Sequence, residues 1–181
     1  RDRIYAGAQK NIGIAGLTLI ILNKKIFDVE SRQCSKICPS VFSYRNVLLS
    51  NSCYNTPPTL AILTTKLMLE WIKDKGGIDT IGKENEEKAK AMYDFIDESK
   101  IFSNDVQDTC RSLVNIKFYI KQPGLESIFL KGAEKRGLIN LKGHPSVGGL
   151  RASLYNSMPM EGVLRLLEWM SLFEKRHYYE T

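Results

Sequence analysis

The chain has 181 residues, of which 43% are hydrophobic and 25% charged, a balance typical of a globular protein. Its formal net charge is +6, but the basic residues are scattered and form no run with interleaved aromatic residues, which disfavours nucleic-acid binding. No apolar run approaches the roughly 20 residues that span a bilayer, and no signal-peptide pattern opens the chain, so we expect no membrane association.

The first predicted element is a short strand over residues 3–6, and a glycine-rich stretch that carries Lys10 follows it. This stretch contains three residues that permit positive φ or a close approach of the backbone, namely Gly7, Gly13 and Gly16. A lysine that is desolvated on such a turn is a candidate nucleophilic amine for Schiff-base chemistry. The spacing alone leaves open the alternative of a solvated loop lysine.

A continuously apolar run over residues 17–22 predicts a strand buried on both faces. Residues 23–52 have little periodicity, which predicts an irregular connector with one short helical turn at 24–27. Residues 55–58, Asn-Thr-Pro-Pro, indicate entry into a helix that runs to about residue 75 and stops at a Gly-Gly pair. A stripe with helical spacing should be buried on this helix: Leu60, Leu63, Leu67 and Trp71.

The remainder of the chain alternates between helical and strand patterns, which predicts an α/β layer architecture. We expect helices at about 78–99, 125–136 and 160–177, and strands at 114–120, 138–141 and 151–155. The first of these helices should face inward with Ile81, Ala89, Met92, Phe95 and Ile96. The last should face the core with Val163, Leu167 and Met170.

The four cysteines are Cys34, Cys38, Cys53 and Cys110. They lack paired zinc-type spacing and are too few for a disulfide scaffold at this length, so we expect reduced thiols in the cytosol and no metal site. A metal or redox pair at Cys34 and Cys38 is disfavoured, since no second pair or nearby histidine completes it.

The stretch Ala-Gly-Ala-Gln-Lys-Asn at 6–11 resembles the lysine segment of phosphoserine aminotransferases, which are pyridoxal-phosphate enzymes of the aspartate-aminotransferase-like class. Residues 54–58, 69–77 and 141–156 resemble the same family in the same order. The resemblance implies an α/β fold, the C-terminal part of such an enzyme. Residues 1–54 would then end the large cofactor-binding domain, and residues 55–181 would form the interdomain helix and the small α/β domain.

The resemblance also implies roles for four residues near the cofactor. Lys10 would hold pyridoxal 5′-phosphate as a Schiff base and move the proton during transamination, and Gln9 would flank the cofactor ring. Asn55 and Thr56 would contact the cofactor's phosphate from across a dimer interface, beside a helix N-terminus. An ordinary N-cap is the alternative for this pair, and the two roles are compatible.

Arg151 would bind the substrate α-carboxylate with its planar guanidinium, and His144 would lie near the substrate phosphate. Two positions depart from the family pattern. Pro145 stands where the family has an arginine, which removes a charge-assisted contact, fixes φ and predicts a shifted loop. Ile14 stands where the family has a proline or a small residue, and its branched side chain is expected to crowd the turn of Lys10.

The implied activity is transfer of the amino group between glutamate and 3-phosphohydroxypyruvate, in serine synthesis, by a cytoplasmic homodimer that binds no nucleic acid and no membrane. In this family the ring that stacks on the cofactor, the aspartate that pairs with its nitrogen and the first phosphate-binding loop lie upstream of the lysine strand. We therefore expect a C-terminal fragment that is inactive in isolation. The alternative is an inactive truncated homologue that acts as an interaction module.

Overall fold

The computed structural model describes residues 3–25 and 39–178 of the chain. The chain divides into two compact units, Arg1–Lys73 and Asp74–Thr181. Cys34, Cys38 and half of the turn predicted at 24–27 lie outside the described residues, whereas Cys53 and Cys110 are exposed free thiols. In the described part of the chain, no helix is both long and apolar enough to cross a membrane.

The first unit begins with an antiparallel hairpin of strands β1 (Arg3–Gly7) and β2 (Thr18–Leu22), in which Tyr5 lies opposite Ile20. Helices α1 (Tyr44–Leu49) and α2 (Thr59–Asp74) follow. Helix α1 falls in the stretch that was predicted to be irregular. Its local signal is Ser43, whose side chain accepts a hydrogen bond from the backbone N–H of Asn46 and so caps the first turn.

Most of the apolar side chains that the sequence predicts to be buried in this unit are exposed. In β2, Ile21 is 66% exposed and Ile20 43% exposed. On α2, at least half of the side chain is exposed at each leucine of the predicted stripe, Leu60, Leu63 and Leu67. The prediction of a buried leucine stripe is therefore wrong for this chain, and the apolar strand lies uncovered, as expected for a detached edge of a larger sheet. The described hairpin has no second layer, and α2 buries Ala61 and Thr65 instead.

The second unit is a two-layer α/β module. Its antiparallel sheet has the order β3-β4-β5, with strands Phe102–Ser103, Asn115–Ile120 and Leu150–Ser153. Three helices contribute to one core with this sheet: α3 (Gly77–Glu98), α4 (Leu125–Glu134) and α5 (Met160–His177). This arrangement of helices packed on a sheet confirms the predicted α/β fold class.

The core of this unit is a cluster of aromatic rings with no exposed surface, formed by Phe102, Phe118, Phe129 and Phe173. The rings of Phe129 and Phe173 meet edge to face with centroids 5.2 Å apart, a favourable arrangement for two aromatic quadrupoles. Of the inward residues predicted for α3 and α5, most are buried and two, Phe95 and Leu167, are partly buried against this core. The helical periodicity therefore predicted the packed faces of this unit correctly.

The strand predicted at 138–141 is wrong. Gly137 has a φ of 74° and follows α4, and the N–H of Leu138 returns to the carbonyl of Ala133 at 3.0 Å, which ends the helix with a Schellman-type cap. Asn140 is also left-handed, with a φ of 61°, so the chain cannot extend through this segment. Pairing begins only at Lys142, which forms an isolated bridge with Leu150.

Candidate active site

Lys10 lies in the connection between β1 and β2 and has a left-handed backbone, with a φ of 80°. Its N–H donates to the carbonyl of Gly13 at 2.9 Å, and the N–H of Ile12 donates to the carbonyl of Ala8 at 3.2 Å. Ala8 is fully buried and anchors the turn by donating to Leu17 at 2.9 Å. A non-glycine residue in this conformation costs about 1–3 kcal/mol, a strain that concentrates at functional sites. The backbone therefore supports Lys10 as a functional residue.

The three glycines around Lys10 serve different purposes. Gly16 has a φ of 108°, which favours glycine. Gly13 has no room for a side chain, because an added Cβ would lie 2.4 Å from the hydroxyl oxygen of Thr65 on α2. Neither reason applies to Gly7, because its φ is not positive and open space surrounds its Cβ position. Gln9 is exposed and forms a bridge with Gly13, so it belongs to the same turn as Lys10.

Asn55 and Thr56 lie in the extended segment before α2. The helix begins at Thr59, and the carbonyl of Pro58 accepts the first helical hydrogen bond from Ile62 at 3.0 Å. Asn55 and Thr56 thus precede the N-cap position by three and two residues, and the alternative that they cap the helix is wrong. Both are exposed, and neither makes a hydrogen bond to another residue in the described ranges. Their amide and hydroxyl are free to bind a ligand.

Arg151 lies on β5, directly opposite Lys117 of β4. The two strands alternate in burial, so Ile116, Phe118 and Leu150 face the core while Arg151 and Lys117 share the polar face of the sheet. The Nε of Arg151 is buried and has no hydrogen-bond partner among the described residues. Among the described residues of its own unit, the guanidinium of Arg151 has no carboxylate partner.

The cation opposite Arg151 is neutralised by its neighbours. Lys117 Nζ lies 3.0 Å from Asp105 Oδ2, and the hydroxyl of Tyr119 donates to the same oxygen at 3.3 Å. Hydrogen bonds with Tyr119 and Asp105 raise the pKa of Lys117, and the bond to Lys117 lowers the pKa of Asp105. Like charges that face each other across a strand pair repel. Asp105 therefore offsets the charge that would otherwise oppose Arg151.

His144 begins a tight turn in which the N–H of Val147 donates to the carbonyl of His144 at 2.9 Å. Its Nδ1 accepts from the backbone N–H of Ser146 at 3.3 Å and lies 2.7 Å from the Ser146 hydroxyl. The Nε2 of the exposed ring is therefore the nitrogen that faces solvent. The turn returns to β5 through Gly148 and Gly149, whose φ values are 74° and 64°. Glycine is favoured at both positions because φ is positive.

The two departures from the family pattern are Pro145 and Ile14. Pro145 occupies the second position of the turn from His144 to Val147, where proline is favoured. The turn closes with proline in place, and the shift of this loop relative to the family stays a prediction. Ile14 is 43% exposed, and its crowding of the turn of Lys10 also stays a prediction.

The sequence-based prediction missed one buried charge in the second unit. Lys88 of α3 is 2% exposed, and its Nζ donates to the carbonyls of Met158 at 2.9 Å and Tyr155 at 3.2 Å in the loop that follows β5. Burial lowers the pKa of Lys88. Lys88 lies four residues before Met92 and so belongs to the inward-facing stripe of α3. That spacing is the sequence signal from which its burial could have been predicted.

The structure brings the predicted residues into two groups. Gln9 and Lys10 share one turn of the first unit, and Asn55 and Thr56 lead into the helix that contacts that turn. In the second unit, the loop of His144 joins the strand of Arg151 through the bridge between residues 142 and 150. In the described ranges, no three potential metal-binding side chains come together.

Comparison with known proteins identifies the family to which the chain belongs. The family model described as aminotransferase class-V matches residues 1–166. The chain is 48% identical to the phosphoserine aminotransferase of Bacillus cereus, covering 94% of this chain and 46% of the relative. It is 46% identical to that of Burkholderia lata, covering 96% of this chain and 47% of the relative. The chain thus spans about half the length of the curated relatives that it matches.

Two solved structures match the described fold. Phosphoserine aminotransferase from Bacillus circulans subsp. alkalophilus gives a TM-score of 0.91 at 37% identity and covers 97% of this chain and 48% of its own. A phosphoserine aminotransferase from Trichomonas vaginalis, whose structure has bound pyridoxal phosphate, gives a TM-score of 0.85 at 39% identity, with 93% and 47% covered. With the family model, these matches show that the chain belongs to the aminotransferase class-V family.

Proposed function

We propose that this chain is the lysine-bearing part of a phosphoserine aminotransferase, which exchanges an amino group between glutamate and 3-phosphohydroxypyruvate in serine synthesis. The observation that carries the proposal is the strained left-handed backbone of Lys10 within a chain that is 48% identical to a phosphoserine aminotransferase over 171 residues.

The residues of the first unit fit pyridoxal phosphate, which carries an aldehyde and a phosphate. Lys10 is exposed at the turn, and Asn55 and Thr56 are exposed without hydrogen-bond partners among the described residues. When bound, the cofactor supplies an electron sink for negative charge at the substrate Cα. Lys10 would hold the cofactor at its aldehyde group and would carry the proton to and from the substrate Cα. Asn55 and Thr56 would bind the phosphate of the partner's cofactor, and Gln9 would flank the ring.

The second unit supplies substrate recognition. Arg151 lacks a carboxylate partner among the described residues of its unit, so its guanidinium can bind the substrate α-carboxylate through two parallel hydrogen bonds. His144 donates from Nε2 to the substrate phosphate, because Ser146 occupies Nδ1. Pro145 adds no charge to this turn, so phosphate recognition rests on fewer charged groups than in the family pattern.

The assembly and its context are part of the proposal. We place the enzyme in the cytoplasm as a homodimer in which Asn55 and Thr56 act on the partner's cofactor. Residues 1–54 end the large domain, and residues 55–181 form the interdomain helix and the small domain. The competing proposal, an inactive homologue that acts as an interaction module, is favoured by the charge lost at Pro145.

The test is to treat the complete enzyme that carries this chain with pyridoxal phosphate, reduce it with borohydride and map the labelled peptides. We expect selective labelling at Lys10, its loss in Lys10→Arg, and no change in the control Lys24→Arg, which alters an exposed lysine just after β2. Glutamate-dependent transamination should disappear with the label. Selective labelling at another lysine would refute the assignment, and an unlabelled, inactive complete enzyme would support the inactive homologue. Measurable transamination by the 181-residue chain alone would refute the expectation that it is inactive in isolation.

A further inference from the structure

The connection that carries Lys10 lies close to helix α2 where Gly13 faces Thr65. Thr65 is 4% exposed, and its hydroxyl oxygen is buried without a hydrogen-bond partner among the described residues. A Cβ built on Gly13 would lie 2.4 Å from that oxygen and 3.5 Å from the Cα of Thr65. The Thr65 side chain therefore occupies the space where any residue other than glycine would place its Cβ.

This contact is directly connected to the backbone of Lys10. The carbonyl of Gly13 accepts the N–H of Lys10 at 2.9 Å, and this hydrogen bond closes the turn. On the other side, the N–H of Ala8 is held by Leu17 at the end of the hairpin. The turn is thus fixed by the strands at one end and by α2 at the other. A displacement of Gly13 from α2 must move the acceptor of the Lys10 N–H.

We propose that Thr65 is a positioning residue for Lys10, because its side chain fixes Gly13 and thereby the left-handed turn that presents the lysine. The hydroxyl is not needed as a hydrogen-bonding group, since it has no described partner. Its contribution is shape: a β-branched side chain on a helix has few rotamers and makes a rigid stop. This inference rests on the proposed function only in naming Lys10 as the reactive residue.

The test is a pair of reciprocal substitutions. Gly13→Ala places a methyl group against the Thr65 hydroxyl, so the turn must move away from α2. Thr65→Ala removes the stop and leaves a gap beside Gly13. In the double variant the new methyl of residue 13 fills the gap left at residue 65, so the contact re-forms. We therefore expect each single change to disturb Lys10 and the double variant to restore it.

Two measurements report on Lys10. Amide hydrogen exchange at Lys10 follows its hydrogen bond to Gly13, and borohydride trapping with pyridoxal phosphate follows the reactivity of its amine relative to the other lysines. Gly13→Ala should lower the protection of the Lys10 amide from exchange and the trapping at Lys10 by about tenfold each, the size expected for a displaced packing contact. Thr65→Ala should reduce both by a few fold, and the double variant should return to within about threefold of the wild type.

A matched control is Gly82→Ala, since Gly82 has open space around its Cβ position and lies on α3. It should change neither measurement. The proposal is overturned if Gly13→Ala behaves like Gly82→Ala, or if the double variant exchanges as fast as the Gly13→Ala single variant. If instead the reciprocal rescue appears in hydrogen exchange while the wild type is not trapped at Lys10, the positioning contact stands and the proposed role of Lys10 fails.

Discussion

Lys88 holds the loop that follows the strand of Arg151, so its replacement by methionine should destabilise the second unit. The substitution keeps the length and helix propensity of the side chain but removes its charge and both donors. Hydrogen bonds from a charged donor contribute about 1.5–3 kcal/mol each, and Nζ makes two, to Met158 and Tyr155. Methionine avoids the cost of burying an ammonium, which offsets part of the stability lost with the two hydrogen bonds. We expect a net loss of about 2–4 kcal/mol in the free energy of unfolding.

The measurement is amide hydrogen exchange in β4, whose residues Ile116 and Phe118 are fully buried and report on global opening of this unit. A loss of this size lowers protection by about two orders of magnitude. The matched control is Lys90→Met on the same helix, where the lysine side chain is 73% exposed and pairs only with Asp94. An exposed pair contributes at most about 1 kcal/mol. Equal protection in the two variants would refute the role assigned to Lys88.

The difference in stability between the wild type and Lys88→Met should depend on pH, and the sign of this dependence follows from the pKa of Lys88. Burial lowers the pKa of Lys88 in the folded state, so between the folded and unfolded pKa values the unfolded chain binds more protons. The contribution of Lys88 to the free energy of unfolding therefore rises with pH, in a window just below the ordinary lysine pKa of about 10.4. The difference between wild type and Lys88→Met should grow as pH rises through that window. A difference that shrinks would contradict the assigned protonation change.

Three further outcomes are expected. In the complete enzyme, Pro145→Arg should raise kcat/KM for 3-phosphohydroxypyruvate by about one to two powers of ten, because a charge-assisted contact is gained in a turn that already has its shape; an unchanged value would contradict this use of the turn. Phe129→Ala should cost about 3–5 kcal/mol in urea unfolding, since the ring has no exposed surface; a loss below about 1 kcal/mol would contradict its central packing. The 181-residue chain should self-associate in light scattering through apolar surfaces such as Ile21 and Leu60, which are 66% and 64% exposed; a monomer in which β2 is protected from exchange would contradict this.

The second unit was largely predictable from the sequence because its patterns are local. The spacing of Met92 and Ile96 on α3, and of Val163 and Met170 on α5, matches the buried faces that the structure shows. The strand predicted at 138–141 failed because Asn140 adopts a left-handed conformation, for which a single asparagine gives only weak warning.

Burial in the first unit was not predictable from pattern alone. An apolar run such as that of β2 indicates what a side chain prefers to contact, but the contact itself depends on which elements are present to cover it. Helix α2 shows the same limit. Its leucines carry the periodic signal, yet the buried residues of this helix are Ala61 and Thr65, and Thr65 is the one that meets the lysine turn.

The candidate site adds a distinction that composition cannot make. Lys117 and Arg151 are both basic residues on neighbouring strands. Composition alone does not show which of the two charges is paired within the protein. The register places them opposite each other, and Asp105 pairs with Lys117 at 3.0 Å. Because Asp105 neutralises one cation of the pair, the other remains available for an anionic ligand without a competing carboxylate among the described residues of its unit. The strand pairing is thus consistent with the proposal that Arg151 binds the substrate carboxylate.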